Sequence, residues 1–272
     1  MALIENKLPL QALSILDLFA MKQAGEKISC LTAYDASFSL LIDQAGIDII
    51  LVGDSLGMVV QGKATTIPVS IDEMVYHSQC VSHVRKRAFV ISDLPFLSYS
   101  SIDFALKNAA NLMQQGGAQM VKLEGAHTSI IESLVNFGIP VCGHLGLLPQ
   151  SINQLGKYKV QGKNDQDAEK IMDDAKRIEE AGASLLVLEC VPSSLAEKIS
   201  QQLKIPVIGI GAGLACDGQV LVLYDMLGIS LGKRPKFSKN FMQTATDISS
   251  AISQFHQSVK QSEFPTLDHS YS

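Results

Sequence analysis

The sequence predicts an α/β protein built as a closed (β/α)8 TIM barrel with an extra N-terminal helix, and three observations carry this. Short, continuously apolar runs alternate with longer amphipathic stretches along the chain. Such runs suit parallel strands that are covered on both faces. Ala45-Gly46, Gly116-Gly117 and Ala181-Gly182 each end a helical pattern and open an apolar run, and those runs close on Asp54, Glu124 and Glu189. Glycine there supplies the left-handed residue that ends a helix. Repetition of the unit implies parallel strands joined by right-handed crossovers. Finally, seven such runs and a weaker eighth fit a closed barrel better than an open sheet.

The elements follow in order. Ser14 to Ala24 reads as the extra helix, capping the barrel bottom. The strand runs are ISCLTAY (28–34), IDIILVGD (47–54), AFVISDLP (88–95), MVKLEG (120–125), VCGHLG (141–146), SLLVLEC (184–190) and VIGIGAG (207–213). The weaker eighth is QVLVLYDMLG (219–228). Ser101 to Gln115 and Asp165 to Glu180 read as helices. In the second, Ile171, Met172, Ala175 and Ile178 form one apolar face for a sheet. Ile-Pro-Val at 139–141 and 205–207 marks strand entries, where proline removes no central ladder bond. Asn240 to Val259 reads as the closing helix. Residues 1–10 and 262–272 are expected to be loose ends. No linker, low-complexity segment or shift in composition divides the chain, so 1–272 is read as one domain.

Composition narrows the function. The chain has 272 residues, 47% of them hydrophobic and 18% charged. With a mean hydropathy of +0.20 it is too apolar for disorder. A net charge of −5 excludes a broad basic surface, so nucleic acid is not an expected partner. No apolar run approaches the ~18 residues that span a bilayer. The opening MALIENKLPLQ lacks the basic-then-apolar pattern of a secretory signal. Cysteines at 30, 80, 142, 190 and 216 form no CxxC. Reduced thiols in a cytoplasmic protein, with no structural zinc, are therefore expected. A 6% aromatic share without tryptophan argues against an aromatic stacking surface.

In a barrel of this type, chemistry sits where the strands end. Here those ends carry Asp54, Asp93, Glu124 and Glu189. Residues two apart on a strand point the same way, so Lys122 shares a face with Glu124, and Cys142 with His144. If the terminal acids point inward, one mouth collects four carboxylates, a lysine and a histidine. Such carboxylates repel one another unless a cation or proton intervenes. All-oxygen ligands suit a hard ion, with magnesium the usual choice when a chelating substrate completes the shell. The competing reading, that each acid caps the following helix, suits a single acid. It is a poor account of the set, because two of the four are Glu.

Other signals are weaker. GIGAG (209–213) lacks the third glycine of a dinucleotide fingerprint and reads as a tight strand-to-loop turn. Gly156 to Asn164 has the wrong spacing for a phosphate loop, and Asn where Ser or Thr should be. His77 and His83 read as surface or satisfied core histidines. Tyr34, at the end of the first strand, either lines the mouth or packs.

The stretches LTAYD (31–35), LVGDSLGMVVQG (51–62), SDLPF (92–96), VKLEG (121–125), VCGHLGLLPQS (141–151), YKVQG (158–162), LLVLECVP (185–192) and IPVIGIGAG (205–213) closely resemble the ketopantoate hydroxymethyltransferase family. The resemblance runs from about Ser14 to His269. It implies a magnesium-dependent barrel related to phosphoenolpyruvate mutase and isocitrate lyase. The implied reaction moves a one-carbon unit from methylenetetrahydrofolate, as co-substrate, to α-ketoisovalerate, giving ketopantoate for pantothenate and coenzyme A synthesis. It also implies a large homo-oligomer, commonly a decamer.

Carried over by motif, Asp54 and Asp93 match metal ligands and Glu124 a third acid at the metal. Asp54, Ser55, Asp93 and Lys122 match substrate-binding positions, and Glu189 matches the proton acceptor. His144 either relays a proton or packs on its strand. The chain departs from the family pattern at Lys157, Tyr224 and Leu214-Ala215-Cys216, all outside the acid cluster. Two competing functions are a magnesium-dependent carbon–carbon lyase acting on another 2-oxo acid, and a non-catalytic metal–oxoacid sensor. The lyase would need a reactive loop cysteine. Cys216 is the nearest candidate, and Cys190 reads as packed.

Overall fold

The computed structural model describes residues 12–232 and 234–272. Strands Ile28–Thr32 (β1), Ile49–Val52 (β2), Phe89–Asp93 (β3), Met120–Glu124 (β4), Val141–Gly146 (β5), Leu185–Glu189 (β6), Val207–Ile210 (β7) and Gly218–Leu221 (β8) close into a barrel in sequence order. Every pair is parallel, and β8 closes on β1. The connections carry helices Ile15–Ala24 (α1), Ala36–Gln44 (α2), Leu56–Val59 (α3), Ile71–Ser82 (α4), Ile102–Gln114 (α5), Thr128–Asn136 (α6), Ile152–Leu155 (α7), Asp165–Glu180 (α8), Ser193–Gln202 (α9), Leu223–Leu227 (α10) and Ile248–Lys260 (α11). The β7–β8 connection is the exception, since residues 211–217 hold no helix. No helix among the described residues is long and apolar enough to cross a membrane.

Local chemistry accounts for these boundaries. Strands such as β2, the run IILV, are buried along their whole length. Ser14 and Ser70 open α1 and α4 with capping boxes to Asp17 and Glu73. Asp35, which follows the first strand, caps α2 by accepting the Phe38 amide at 3.0 Å. Gly46, Gly117 and Gly182 have φ of +85°, +73° and +95°, as expected where a helix ends and the chain turns into a strand. In α8, Ala175 and Ile178 are buried, while Ile171 and Met172 pack at the core edge.

As expected, α1 closes the bottom of the barrel. Leu18 is fully buried, and Lys22 reaches the Ser200 carbonyl at 2.9 Å and Asp217, just before β8, at 2.6 Å. Beside it, the fully buried Asp48, just before β2, meets Arg87 at 2.9 Å and Lys260 at 2.7 Å. It also accepts the Ser29 amide at 2.9 Å. Burial opposes the Asp48 charge, but Lys260 and Arg87 hold its carboxyl below the usual range. This end of the barrel ties strands and helices together.

Three expectations need correction. The stretch 240–259 is not one helix: a 3-10 turn at Phe241–Gln243 precedes α11. The cause is Asp247, whose carboxylate accepts the Ser250 amide at 2.7 Å and restarts the helix there. The eighth run is a strand only to Leu221. Its chain then turns into α10, where the Leu223 amide donates to Thr32 Oγ1 at 3.0 Å. Residues 262–272 are not loose. Phe264 packs against Phe241 and Phe255 with ring centres 5.7 and 5.9 Å apart, and the Ser193 amide donates to the Tyr271 carbonyl at 2.9 Å. The other loose end, 1–10, lies outside the described residues.

The bottom network yields a stability prediction. Asp48→Ala leaves Arg87 and Lys260 without their shared partner and should destabilise the fold by about 3 kcal/mol. Denaturant unfolding of the purified variant measures this. A loss below about 1 kcal/mol would show that the buried carboxylate is not what holds this end together.

Candidate active site

The strand ends bring the expected residues together. Asp93 ends β3 and pairs in register with Lys122 on β4, and their side chains form an ion pair at 2.7 Å. Glu124 ends β4 in register with His144 on β5, with Oε1 at 3.7 Å from His144 Nδ1. Glu189 ends β6 and lies 3.3 Å from His144 Nε2. Asp54 lies two residues beyond β2, and its backbone amide donates to Asp93 Oδ2 at 3.0 Å. Gly53 leaves room for the Ser55 hydroxyl, since a Cβ there would stand 2.8 Å from Ser55 Oγ. Asp54, Asp93, Lys122, Glu124 and His144 are all buried, yet all line one cavity with Glu189 and Ser55. That cavity has a volume of about 1070 Å³, at the upper end for a small-molecule site.

Electrostatics follow from this crowding. Burial, aided by Asp93, pushes the Asp54 carboxyl up to about 7. Burial and Asp54 likewise raise Glu124 well above the carboxylate range. Burial pushes Glu189 up to about 8. Lys122 is desolvated too, but Asp93, Glu124 and Asp54 outweigh that and hold its ammonium above its ordinary range. Burial and Lys122 keep His144 neutral. Neither ring nitrogen of His144 has a hydrogen-bond partner. A buried polar ring aimed into a cavity without a partner awaits a ligand group.

Sequence reasoning missed Gln150, which knits the acids together. Its backbone amide donates to Glu124 Oε2 at 3.0 Å, and its side-chain amide donates to Asp54 Oδ2 at 2.8 Å. Tyr99 donates to Gln150 Oε1 at 2.6 Å and fixes the amide's orientation. The one available signal was a polar residue inside the apolar stretch GHLGLLPQS. Tyr34 does not line the cavity. It is packed against Tyr224 and holds Ser55, with 2.9 Å between their hydroxyl oxygens. His77 is satisfied by the Tyr34 carbonyl at 2.6 Å. Cys216 is buried, and its thiol is pushed up to about 12 by burial. Cys190 is buried as expected but also lines the cavity, and burial raises its thiol as well. Neither is the low-pKa loop thiol that the lyase reading needs.

Among the described residues, no three His, Cys, Asp or Glu side chains are arranged around one point for a metal ion. The acids instead stand as linked pairs. A hard cation here would rest on one or two carboxylates, with water or a substrate oxygen completing its shell.

A closed parallel barrel with its charged residues gathered at the carboxyl ends of the strands is the plan of a TIM-barrel enzyme. The sequence matches the family described as ketopantoate hydroxymethyltransferase over residues 12–267. A 3-methyl-2-oxobutanoate hydroxymethyltransferase from Nitrosococcus oceani is 54% identical over 261 residues, 95% of this chain and 99% of its own length. One from Alkalilimnicola ehrlichii is 54% identical over 253 residues, covering 92% of this chain and 91% of its own. Among solved structures, phosphoenolpyruvate phosphomutase from Streptomyces platensis subsp. rosaceus shares the fold, with a TM-score of 0.61 at 12% identity over 79% of this chain and 83% of that one. A phosphonopyruvate hydrolase in complex with oxalate and Mg2+ superimposes with a TM-score of 0.59 at 11% identity, over 76% of this chain and 80% of that one. The chain belongs to the ketopantoate hydroxymethyltransferase family.

The raised carboxyls predict an unusual pH response. Above pH 7.5 His144, held neutral in the folded chain, has lost nearly all its proton in the unfolded chain as well, while Glu189, pushed up to about 8, keeps a proton only in the folded one. The folded state binds more protons there, so stability falls as pH rises across that window. Chelator-treated protein should therefore melt at a lower temperature at pH 8.5 than at pH 7.5, and Glu189→Gln should flatten the slope. A melting temperature that is flat or rising in the parent protein would refute the raised carboxyls.

Proposed function

We propose that the chain transfers a hydroxymethyl group from 5,10-methylenetetrahydrofolate to 3-methyl-2-oxobutanoate, giving ketopantoate in the first step of pantothenate synthesis. Family membership supports the reaction. At the site, the carrying observation is that one cavity holds the Asp54–Asp93–Lys122 cluster and, apart from it, a fourth carboxyl, Glu189, which lies 3.3 Å from the neutral His144 ring. One group binds and a separate group takes the proton.

Lys122 and Ser55 hold the negative end of the oxo acid. Asp54 and Asp93 form the ligand pair for a divalent cation, and Glu124, joined to Asp54 through Gln150, acts on it directly or through water. Their all-oxygen, net negative character fits magnesium. Magnesium there would supply Lewis-acid stabilisation of charge developing on the substrate. Glu189 accepts the proton from the carbon next to the keto group. The resulting carbon nucleophile bonds to the donor's methylene as that carbon's bond to N10 breaks; water then displaces N5 to leave the hydroxymethyl group, the two nitrogens take up the released protons, and tetrahydrofolate departs. His144, neutral and unpartnered, hydrogen-bonds a substrate oxygen and orients it toward Glu189. Lys122 acts as a cation and not as an imine-forming nucleophile, since its pairing with Asp93 keeps the proton on the amine.

Two experiments test these roles. Proton removal needs no folate, so the enzyme with magnesium alone should exchange the substrate's C–H for deuterium in heavy water. Glu189→Gln should slow that exchange ~10²–10⁴-fold, followed by proton NMR of 3-methyl-2-oxobutanoate. Undiminished exchange would move the base role, first to His144. Separately, calorimetric titration of magnesium into Asp54→Asn and Asp93→Asn should show affinity weakened by at least ~10-fold. Parent-like affinity in both would remove the metal from this pair.

A further inference from the structure

The cavity is divided by charge. Its floor carries the acids already described, and a five-carbon oxo acid fills only a part of about 1070 Å³. Its outer wall is lined by Lys159, Arg234, Lys236, Phe237 and Tyr271, none of which serves the proton transfer. Three separate segments build this wall: the stretch between α7 and α8 that carries Lys159, the loop after α10, and the last residues of the chain.

The wall is fixed in place. The Ser193 amide holds the Tyr271 carbonyl at 2.9 Å. Lys236 donates to the Ser270 carbonyl at 2.8 Å, and its ammonium lies 5.2 Å from the centre of the Tyr271 ring. Gly211, with φ +61°, permits the arrangement: a Cβ there would come within 3.1 Å of both Phe237 and Tyr271. Alanine at 211 would strain the left-handed backbone there and crowd both rings. The Tyr271 hydroxyl lies against Cys190, the residue after Glu189, so the aromatic wall borders the proton acceptor.

We infer that this wall is the subsite for the one-carbon donor. The donor's planar heteroaromatic ring packs on Phe237 and Tyr271, and the carboxylates of its glutamate tail meet Lys159 and Arg234. The inference rests on the proposed reaction and adds the residues that recognise its second substrate. Charge sets the direction of binding: an anionic tail is repelled by the floor and attracted by the outer wall, which leaves the reactive carbon facing Glu189. The composition, with few aromatics, argues against a stacking surface. Two rings gathered from distant positions are enough for one small aromatic system.

The test uses the full-length protein and a stable probe, 5-formyltetrahydrofolate, in monoglutamate and triglutamate forms, with binding measured by calorimetry. Tyr271→Ala should weaken both forms about tenfold, a loss typical of one aromatic contact. Tyr271→Phe should stay within about twofold of the parent. Lys159→Ala combined with Arg234→Ala should abolish the parent's preference for the triglutamate and most of its salt dependence. Affinity for 3-methyl-2-oxobutanoate, titrated in parallel, reports an intact floor. If Tyr271→Ala and the double variant bind both probes like the parent, the subsite is wrong while the reaction stands. If the parent binds the oxo acid but neither folate, the subsite and the one-carbon-donor reading fall together.

Discussion

Lys122 is the charge on which the mouth of this barrel depends. It sits buried among Asp93, Glu124 and Asp54, and the described residues lining the floor offer no second ammonium or guanidinium. An unpaired buried carboxylate costs several kcal/mol in effective desolvation. One lysine cannot offset three or four of them, so the acids hold protons or recruit a cation. The site is therefore incomplete as a bare chain. That deficit, built from strand-end side chains, gives the floor of the cavity its excess of carboxyl groups over cations.

The rest of the architecture serves to keep those charges close. Parallel pairing puts Asp93 beside Lys122 and Glu124 beside His144 with no loop involved. Groups carried on paired strands move little relative to one another, which preorganises the site. Gln150 and Tyr99 then tie Glu124 to Asp54 across the mouth. Opposite, the bottom of the barrel carries a satisfied network around Asp48, with Arg87 and Lys260 matching the buried charge. The two ends thus obey the same electrostatics with opposite outcomes: complete pairing where the barrel is tied together, deficient pairing where it works.

Much of this was legible in the sequence, and the reason is local. Apolar runs, helix-ending glycines and strand-end acids are features of neighbouring residues. Period-two alternation alone places Lys122 and Glu124 on one face, as His144 and Cys142 share another. Repetition of the unit implies parallel pairing, and parallel pairing places the acids at one end. Capping is local as well: the signal that restarts α11 at Asp247 lies in residues 247–250, and only the apolar period beyond it suggested a longer helix.

The sequence by itself determined the strand–helix repeat, the barrel, the extra helix at its base and the acids, lysine and histidine of its mouth. Tertiary structure decided what depends on distance between remote segments. It put Gln150 between Asp54 and Glu124, set Tyr34 behind Ser55 and not in the cavity, and folded the tail so that Tyr271 faces the mouth. It also assembled Phe237 and Tyr271 over Gly211 from positions 34 residues apart in the chain (271 − 237). No periodicity records such meetings, because a hydrogen bond or ring contact depends on angstrom-scale proximity that only the closed barrel supplies.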